Sequence, residues 1–225
     1  INNNLSVAAD MSITASSNAL TIAGNITNAA AARQLTIDGS ENTAVSGVIS
    51  GAGLLVKDGA GTVTLSGANT YSGGTEVVAG ALVGDTTSLQ GAITNNATLN
   101  FAQSNNGTFD ISQISNSASA VVIKSGAGRL TLTGANDDAA LRTEIQQGEL
   151  RGTTGSLPDG TIINDGRVTY QQSWDGSSAA SISGTGWLSK GAAGTVTLTG
   201  TNTYSGGTLV SGGRLTGDTA SLQGT

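Results

Sequence analysis

The residues with the greatest potential for chemistry are four carboxylates in the middle of the chain. Asp137 and Asp138 are adjacent, and Glu144 and Glu149 follow them. Hydrolysis of a glycosidic bond requires two carboxyl groups about 5–9.5 Å apart, and a calcium site requires several converging oxygens. Neighbouring residues on a strand point to opposite faces, and acidic residues in turns are normally solvated. We therefore interpret these carboxylates as surface residues and keep a carbohydrate-active enzyme, either a polysaccharide lyase or a glycosidase, as the alternative.

A second group of candidates combines aromatic and polar side chains. Tyr170, Trp174 and Asp175 lie close together in the sequence, with glutamines between them. An aromatic ring with nearby amides can form a sugar platform or a protein contact point. These three residues, together with Asp137 and Asp138, form the candidate contact surface that the sequence predicts.

Several common kinds of active site are excluded by composition. The chain has no His and no Cys, which excludes Ser-His-Asp and Cys-His catalysis as well as zinc held by His or Cys. It also lacks a phosphate-binding loop with Lys and Ser/Thr. We predict a protein that is not an enzyme, with no catalytic residue, no cofactor and no metal site.

The charge pattern limits the kinds of partner. The net charge is −6, and the nine Lys and Arg residues are scattered singly, so we expect binding neither to nucleic acid nor to anionic lipid. Only 11% of the 225 residues are charged, against about 25% in a typical soluble domain. Ser, Thr and Asn supply the polar surface instead. If the chain binds anything, we expect self-association through hydrogen bonds along this surface.

One stretch of fifteen residues is copied along the chain. Gly61–Thr75 returns as Gly194–Thr208 with 13 of 15 positions identical, and a degraded copy begins at Gly128. The longer units around these copies cover approximately residues 45–91, 112–159 and 178–224 and recur every 66 to 68 residues. Copies of this kind predict units that stack and bury their apolar faces against their neighbours.

The copies predict which side chains lie inside. Alternation of apolar residues with threonines or charged residues places four apolar residues and their counterparts on the inner face of strands: Val63, Leu65, Val77 and Leu82, with Val210 and Leu215. A coil of about 20–25 residues fits three times into one unit. We predict one all-β segment over residues 1–225, a parallel β-helix (solenoid) of about ten coils. Propeller blades of about 40–50 residues do not fit the period.

Five further residues of the copies receive structural predictions. We expect Tyr71 and Tyr204, which occupy equivalent turns, to pack against the coils. Asp85 and Asp218 precede equivalent turns and are predicted to cap them. Trp187 replaces Leu54 at an equivalent site, so we expect a core or half-buried side chain.

The run Gly-x-x-Thr-Leu-Ser/Thr-Gly-x-Asn-Thr-Tyr-Ser-Gly-Gly-Thr is similar to the autotransporter-associated β-strand repeat. This repeat occurs in passenger domains of Gram-negative type V secreted proteins. Gly61–Leu82 and Gly194–Leu215 match it well, whereas Gly128–Leu150 departs from it because it lacks the Tyr-Ser-Gly-Gly turn.

The resemblance has implications for fold, location and function. It implies a right-handed parallel β-helix that is exported across the outer membrane to the cell surface or secreted. Export would use a C-terminal outer-membrane barrel, which we expect to lie outside this excised segment, so that the segment itself does not insert into the membrane. The implied role is a rigid stalk or adhesin in adhesion, autoaggregation or biofilm formation, with a host-surface or glycan receptor as partner.

Overall fold

The computed structural model describes residues 1–136, 138 and 141–222, and short β-strands dominate it. The first fourteen strands in chain order are β1 (Leu5–Ser6), β2 (Met11–Ala15), β3 (Leu20–Ile22), β4 (Ile26–Thr27), β5 (Gln34–Gly39), β6 (Thr43–Val45), β7 (Ile49–Gly51), β8 (Leu54–Lys57), β9 (Thr62–Leu65), β10 (Thr70–Tyr71), β11 (Thr75–Val77), β12 (Ala81–Gly84), β13 (Ile93–Asn95) and β14 (Thr98–Ala102). The remaining described strands are β15 (Gly107–Asp110), β16 (Ile114–Asn116), β17 (Val121–Ser125), β18 (Arg129–Thr133), β19 (Arg142–Ile145), β20 (Glu149–Gly152), β21 (Thr161–Asn164), β22 (Arg167–Gln171), β23 (Gly176–Ser178), β24 (Ser181–Ser183), β25 (Trp187–Gly191), β26 (Thr195–Leu198), β27 (Thr208–Val210) and β28 (Arg214–Thr216). Among the described residues the only helix is one 3-10 turn, η1 (Ile111–Gln113), and no helix is long and apolar enough to cross a membrane.

The strands belong to two compact units. The first unit comprises Ile1–Ala102 and Gln113–Ala120, and the second comprises Gln103–Ser112 and Val121–Thr225. Strands of the first unit lie in three sheets, in the orders β1-β4-β7-β10, β2-β5-β8-β11-β13-β16 and β3-β6-β9-β12-β14. Strands of the second unit lie in the orders β17-β19-β21-β24, β15-β18-β20-β22-β25-β27 and β23-β26-β28.

Neighbouring strands in each sheet are parallel and come from successive coils of the chain. In the first unit, Met11 pairs with Leu35, Leu35 with Leu55, and Leu55 with Thr75. One coil therefore takes about 20 residues, a length typical of solenoid repeats. This stacking of parallel strands is that of a β-solenoid with about ten turns, and it confirms the predicted fold class over an antiparallel sheet or a propeller.

Aliphatic side chains on the inner faces of the strands form the core. The predicted inward residues Val63, Leu65, Val77 and Leu82 are all buried, because alternate residues of a strand point to opposite faces. Burial of each such side chain stabilises the fold by about 1.5–3 kcal/mol. Val210 departs from the prediction and is 47% exposed. It lies on β27, the last strand of its sheet in the described chain, and no further described strand covers it.

The sequence repeat is longer than three coils. In the second unit, Ile123 pairs with Glu144, Glu144 with Ile163, and Ile163 with Ser183. Three coils therefore separate Ile123 from Ser183. The next copy of Ile123 is Ser189, which lies on the following strand. Consequently the equivalent strands β17 and β25 belong to different sheets. One repeat unit therefore spans three coils and one further strand, and not the three coils that were predicted.

Glycine is required where the turns of successive coils lie against each other. Gly148 has a φ of 70°, a left-handed conformation that other residues rarely adopt. A Cβ atom at this position would collide with the carbonyl oxygens of Gly126 and Gly128, one coil earlier. The equivalent residues of the other two copies, Gly80 and Gly213, both have a φ of 67°.

Replacement of Gly148 by Ala is expected to lower the free energy of unfolding by about 1–3 kcal/mol, because strain and the collision must both be relieved. Gly155→Ala is the matched control, since the nearest atom to its Cβ would be the Thr153 hydroxyl at 3.8 Å. Urea denaturation of both variants measures the difference. Equal free energies of unfolding for the two variants would show that the turns can separate without loss of stability.

Candidate functional site

Each repeat contains one buried lysine. Lys57, Lys124 and Lys190 are at most 2% exposed, and they end or nearly end the equivalent strands β8, β17 and β25. Each stem lies inside the solenoid and carries its ammonium group to the corner that follows the strand. Sequence reasoning missed this burial, although the three residues are the only lysines and recur at equivalent positions.

The buried ammonium groups bind backbone carbonyls of two successive turns. The Nζ atom of Lys124 donates to the carbonyl oxygens of Ser125 at 2.9 Å, Gly126 at 2.7 Å and Gln147 at 3.1 Å. The first two carbonyls lie at the end of its own strand and in the turn that follows, and the third belongs to the turn one coil further. The other two lysines repeat this pattern with carbonyls of Asp58, Gly59 and Ala79, and of Gly191, Ala192 and Gly212.

Burial disfavours the charged form of each lysine. It lowers the pKa of Lys124 to about 8, and it lowers the pKa of Lys190 in the same direction. For Lys57, burial also lowers the pKa, against the opposing effect of the carboxylates of Asp58 and Asp38.

A buried asparagine connects three coils in the two well-matched copies. The Oδ1 atom of Asn69 accepts from the Ile49 N–H at 2.8 Å, and its Nδ2 donates to the Ser88 carbonyl at 2.7 Å. Asn202 makes the same two bonds, from the Ile182 N–H at 2.8 Å and to the Ser221 carbonyl at 2.6 Å. These bonds explain why the repeat motif has Asn at this position.

The Tyr-Ser-Gly-Gly-Thr turn is closed by a bond between its first and last residues. The hydroxyls of Tyr71 and Thr75 are 2.9 Å apart, and those of Tyr204 and Thr208 are 2.7 Å apart. Both tyrosines are buried, which confirms that they pack against the coils, and burial raises the pKa of Tyr71.

Asp85 and Asp218 cap equivalent turns, as predicted. The Oδ1 atom of Asp85 accepts from the N–H groups of Thr87 at 2.9 Å and Ser88 at 3.0 Å, while Ser88 Oγ accepts from the Asp85 N–H at 2.8 Å. Burial opposes ionisation of Asp85, but hydrogen bonds from Thr87 and Ser88 outweigh it and lower the pKa. At Asp218, hydrogen bonds from Ser221 and Ala220 lower the pKa.

The candidate contact surface is not assembled as predicted. Tyr170 is 0% exposed and donates to Ser178 Oγ at 2.8 Å, so its assignment to an exposed surface is wrong. Trp174 is 59% exposed. The carboxylate of Asp175 is exposed and accepts from the Thr195 N–H at 2.7 Å, and hydrogen bonds from Thr195 lower its pKa.

The structure describes three of the four carboxylates considered for catalysis. Asp137 lies outside the described residues, and the backbone N–H of Asp138 donates to Asn136 Oδ1 at 3.2 Å. Glu144 on β19 and Glu149 on β20 lie in different sheets. Each forms an ion pair with an arginine two residues away on its own strand, at 2.7 Å for Arg142–Glu144 and 3.0 Å for Arg151–Glu149.

The second unit carries a shallow groove that sequence reasoning missed. A row of four residues runs across its six-stranded sheet, because Arg129 pairs with Glu149, Glu149 with Arg167, and Arg167 with Trp187. These four residues, with Asn106, Ala127, Gly148 and Gly166, line a groove of about 330 Å³. We name this feature the Arg-Trp groove. Trp187 is 50% exposed, which agrees with the half-buried alternative of the prediction and not with the core alternative.

The position of Trp187 at the start of β25 explains its exposure. The next residue, Leu188, points inward and is fully buried, so the alternation of the strand turns Trp187 outward. The signal for the groove lay in the spacing of Arg129, Glu149, Arg167 and Trp187, which are separated by about one coil each.

The geometry defines a parallel β-solenoid whose repeated polar residues hold successive coils together. A family model described as the passenger-associated-transport-repeat matches residues 55–83, 122–151 and 190–216. The chain therefore carries three copies of the repeat of autotransporter passengers, which confirms the resemblance noted in the sequence. The degraded middle copy is included in the match. Comparison with curated proteins and with solved structures gave no match.

Replacing Asn69 with Ala is expected to lower the free energy of unfolding by about 2–4 kcal/mol, because a buried N–H and a buried carbonyl both lose their partner. Asn136→Ala is the control, since Asn136 is half-buried, its amide nitrogen reaches the Leu157 carbonyl only at 3.5 Å, and its Oδ1 accepts a local bond from the Asp138 N–H at 3.2 Å. Its cost should be about 1 kcal/mol or less. Chemical denaturation compares the two variants, and an equal loss would remove the special role of Asn69.

Lys124→Met is expected to lower the free energy of unfolding at neutral pH by about 2–4 kcal/mol, because the partly buried carbonyls of Gly126 and Gln147 lose their donor while the apolar stem is kept. The difference in free energy of unfolding between the wild type and the variant should then increase between about pH 8 and pH 10.5. In this window the unfolded chain keeps a proton that the folded chain has released, so unfolding takes up a proton and becomes less favourable as the pH rises. Urea denaturation of both proteins across the window tests the sign, and an advantage that decreases with pH would contradict it.

Proposed function

We propose that this chain is a non-enzymatic segment of an exported autotransporter passenger, which acts as a rigid stalk and contributes to adhesion or autoaggregation. The segment would be displayed at the cell surface or released from it. The matched passenger repeats support export across the outer membrane.

The observation that carries this proposal is that the repeated polar residues form hydrogen bonds within the solenoid. In the two well-matched copies, the lysine, the asparagine, the turn tyrosine and the capping aspartate all bind groups of the solenoid itself. What is copied along the chain is therefore the means of stacking one coil on another. A repeat of this kind supports a structural role, because stability grows as coils are added to their neighbours.

The composition supports passage to the outside. Absence of Cys means that no disulfide can form in an oxidising compartment before folding is complete. Each coil pairs with the coil before it, so coils that emerge first can provide the template for those that follow. Folding outside the cell could then proceed one coil at a time.

Adhesion and aggregation would use the outward faces of the strands. Ser, Thr and Asn dominate these faces, and charged residues are few. Such a surface can form hydrogen bonds along its length with another copy of the chain or with a glycan or protein on a host surface. Self-association of this kind would contribute to biofilm formation.

Deletion of this segment from the parent protein, displayed on a bacterium that does not aggregate, tests the proposal. We expect settling and surface attachment to fall several-fold, because the adhesive faces are lost. Antibody labelling of an intact flanking region verifies that the deletion variant still reaches the surface. Unchanged settling and attachment at equal display would leave the segment without an adhesive role.

A further inference from the structure

The cations of this chain are divided between its inside and its outside. All three lysines are buried and bound to carbonyls, so arginines supply the remaining six positive side chains. Three of the six, Arg129, Arg151 and Arg167, lie on neighbouring strands of one sheet in the second unit. A chain with a net charge of −6 thus carries a local concentration of positive charge.

Two of these three arginines have no counter-ion among the described residues. Glu149 lies between Arg129 and Arg167 in the pairing of strands, but its Oε1 accepts from Nε and Nη2 of Arg151, at 3.1 and 3.0 Å. The ion pairs found in the described chain are Arg142–Glu144 and Arg151–Glu149. Arg129 and Arg167 therefore line the Arg-Trp groove without an ion pair to a described residue, and the Nε atom of Arg129 is buried there without a hydrogen-bond partner.

The spacing of the row suits an extended ligand. Neighbouring strands are about 4.8 Å apart, so Arg129 and Arg167 are separated by about 9.6 Å, and Trp187 follows one strand further. The first separation is close to the length of two linked pyranose rings. Between the side chains the groove is lined by the backbone of Gly148 and Gly166.

We propose that the Arg-Trp groove binds an acidic saccharide chain. A guanidinium group binds carboxylate and sulfate groups through two parallel N–H donors, so Arg129 and Arg167 would hold acidic groups on alternate sugar rings. The exposed face of Trp187 would pack against the apolar face of the next ring. This proposal assigns a ligand to the adhesive surface, and it rests on the proposed function.

The groove favours this ligand over a second copy of the chain. Its arginines and tryptophan lie in one line across the strands, which matches a linear polymer with regularly spaced charges. A protein partner would need a broader complementary surface, since stable protein interfaces bury about 1,200 Å² or more. Formation of a dimer through the groove is therefore the competing outcome of the test.

Isothermal titration calorimetry of the purified chain with a galacturonate hexamer tests the proposal. The fully methyl-esterified hexamer removes the charge from the same sugar, and dextran sulfate distinguishes sulfate from carboxylate recognition. We expect binding of the hexamer or of dextran sulfate, no binding of the ester, and weaker binding as NaCl is raised from about 0.05 to 0.5 M. Arg129→Gln, Arg167→Gln and Trp187→Ala should each weaken binding about 10-fold.

Two matched variants serve as controls. Trp174→Ala removes the other exposed tryptophan, and Arg214→Gln removes an exposed arginine on another sheet; both should bind as the wild type does. Absence of binding to both anionic probes, or equal weakening by the control variants, overturns the proposal. A dimer in sedimentation that Arg167→Gln dissociates would overturn it in favour of a second copy. If displayed cells lose settling on deletion of the segment but bind neither probe, the adhesive role stands and the saccharide site fails.

Discussion

The structure depends on satisfying backbone carbonyls at the corners of its coils. Carbonyls in a corner have left the hydrogen-bond ladder of the sheet, and a buried carbonyl without a donor costs about 1–3 kcal/mol. A lysine ammonium has three donors and no acceptor, and in each repeat it meets three carbonyls at the end of its strand and in the adjoining turns. Burial of an unpaired ammonium is normally costly, but here three carbonyl dipoles face it. The same hydrogen bonds thus supply donors to the carbonyls and acceptors to the ammonium group.

The same chemistry explains why lysine and arginine occupy different places. An ammonium group is compact and fits a corner where two turns meet, whereas a guanidinium group is planar and presents a rigid fork. Lys57, Lys124 and Lys190 accordingly lie inside, and Arg129 and Arg167 lie at a surface. The lysine corners also tie together neighbouring coils, because two of the three carbonyls come from one turn and the third comes from the next.

Sequence reasoning succeeded where the deciding interactions are local. Alternation within a strand placed Val63 and Leu82 correctly, and side-chain caps placed Asp85. It failed for Tyr170, because this aromatic residue was judged by its neighbours in the sequence rather than by its place in the alternation. The Arg-Trp groove was missed because, although the spacing of its residues is visible in the sequence, the pairing of residues on successive coils is not. That register changes with the length of each turn, which varies from coil to coil and is set by packing across the whole stack.

The mismatch between the repeat and the coil limits what duplication of the sequence can achieve. Position 121 in the middle copy and Trp187 in the next are equivalent, yet they lie on β17 and β25 in different sheets. Duplicating the unit therefore lengthens the scaffold without lining up identical surface features in a row. A binding surface that arises in one copy remains a single site, so avidity must come from many molecules on a cell and not from many repeats in one molecule.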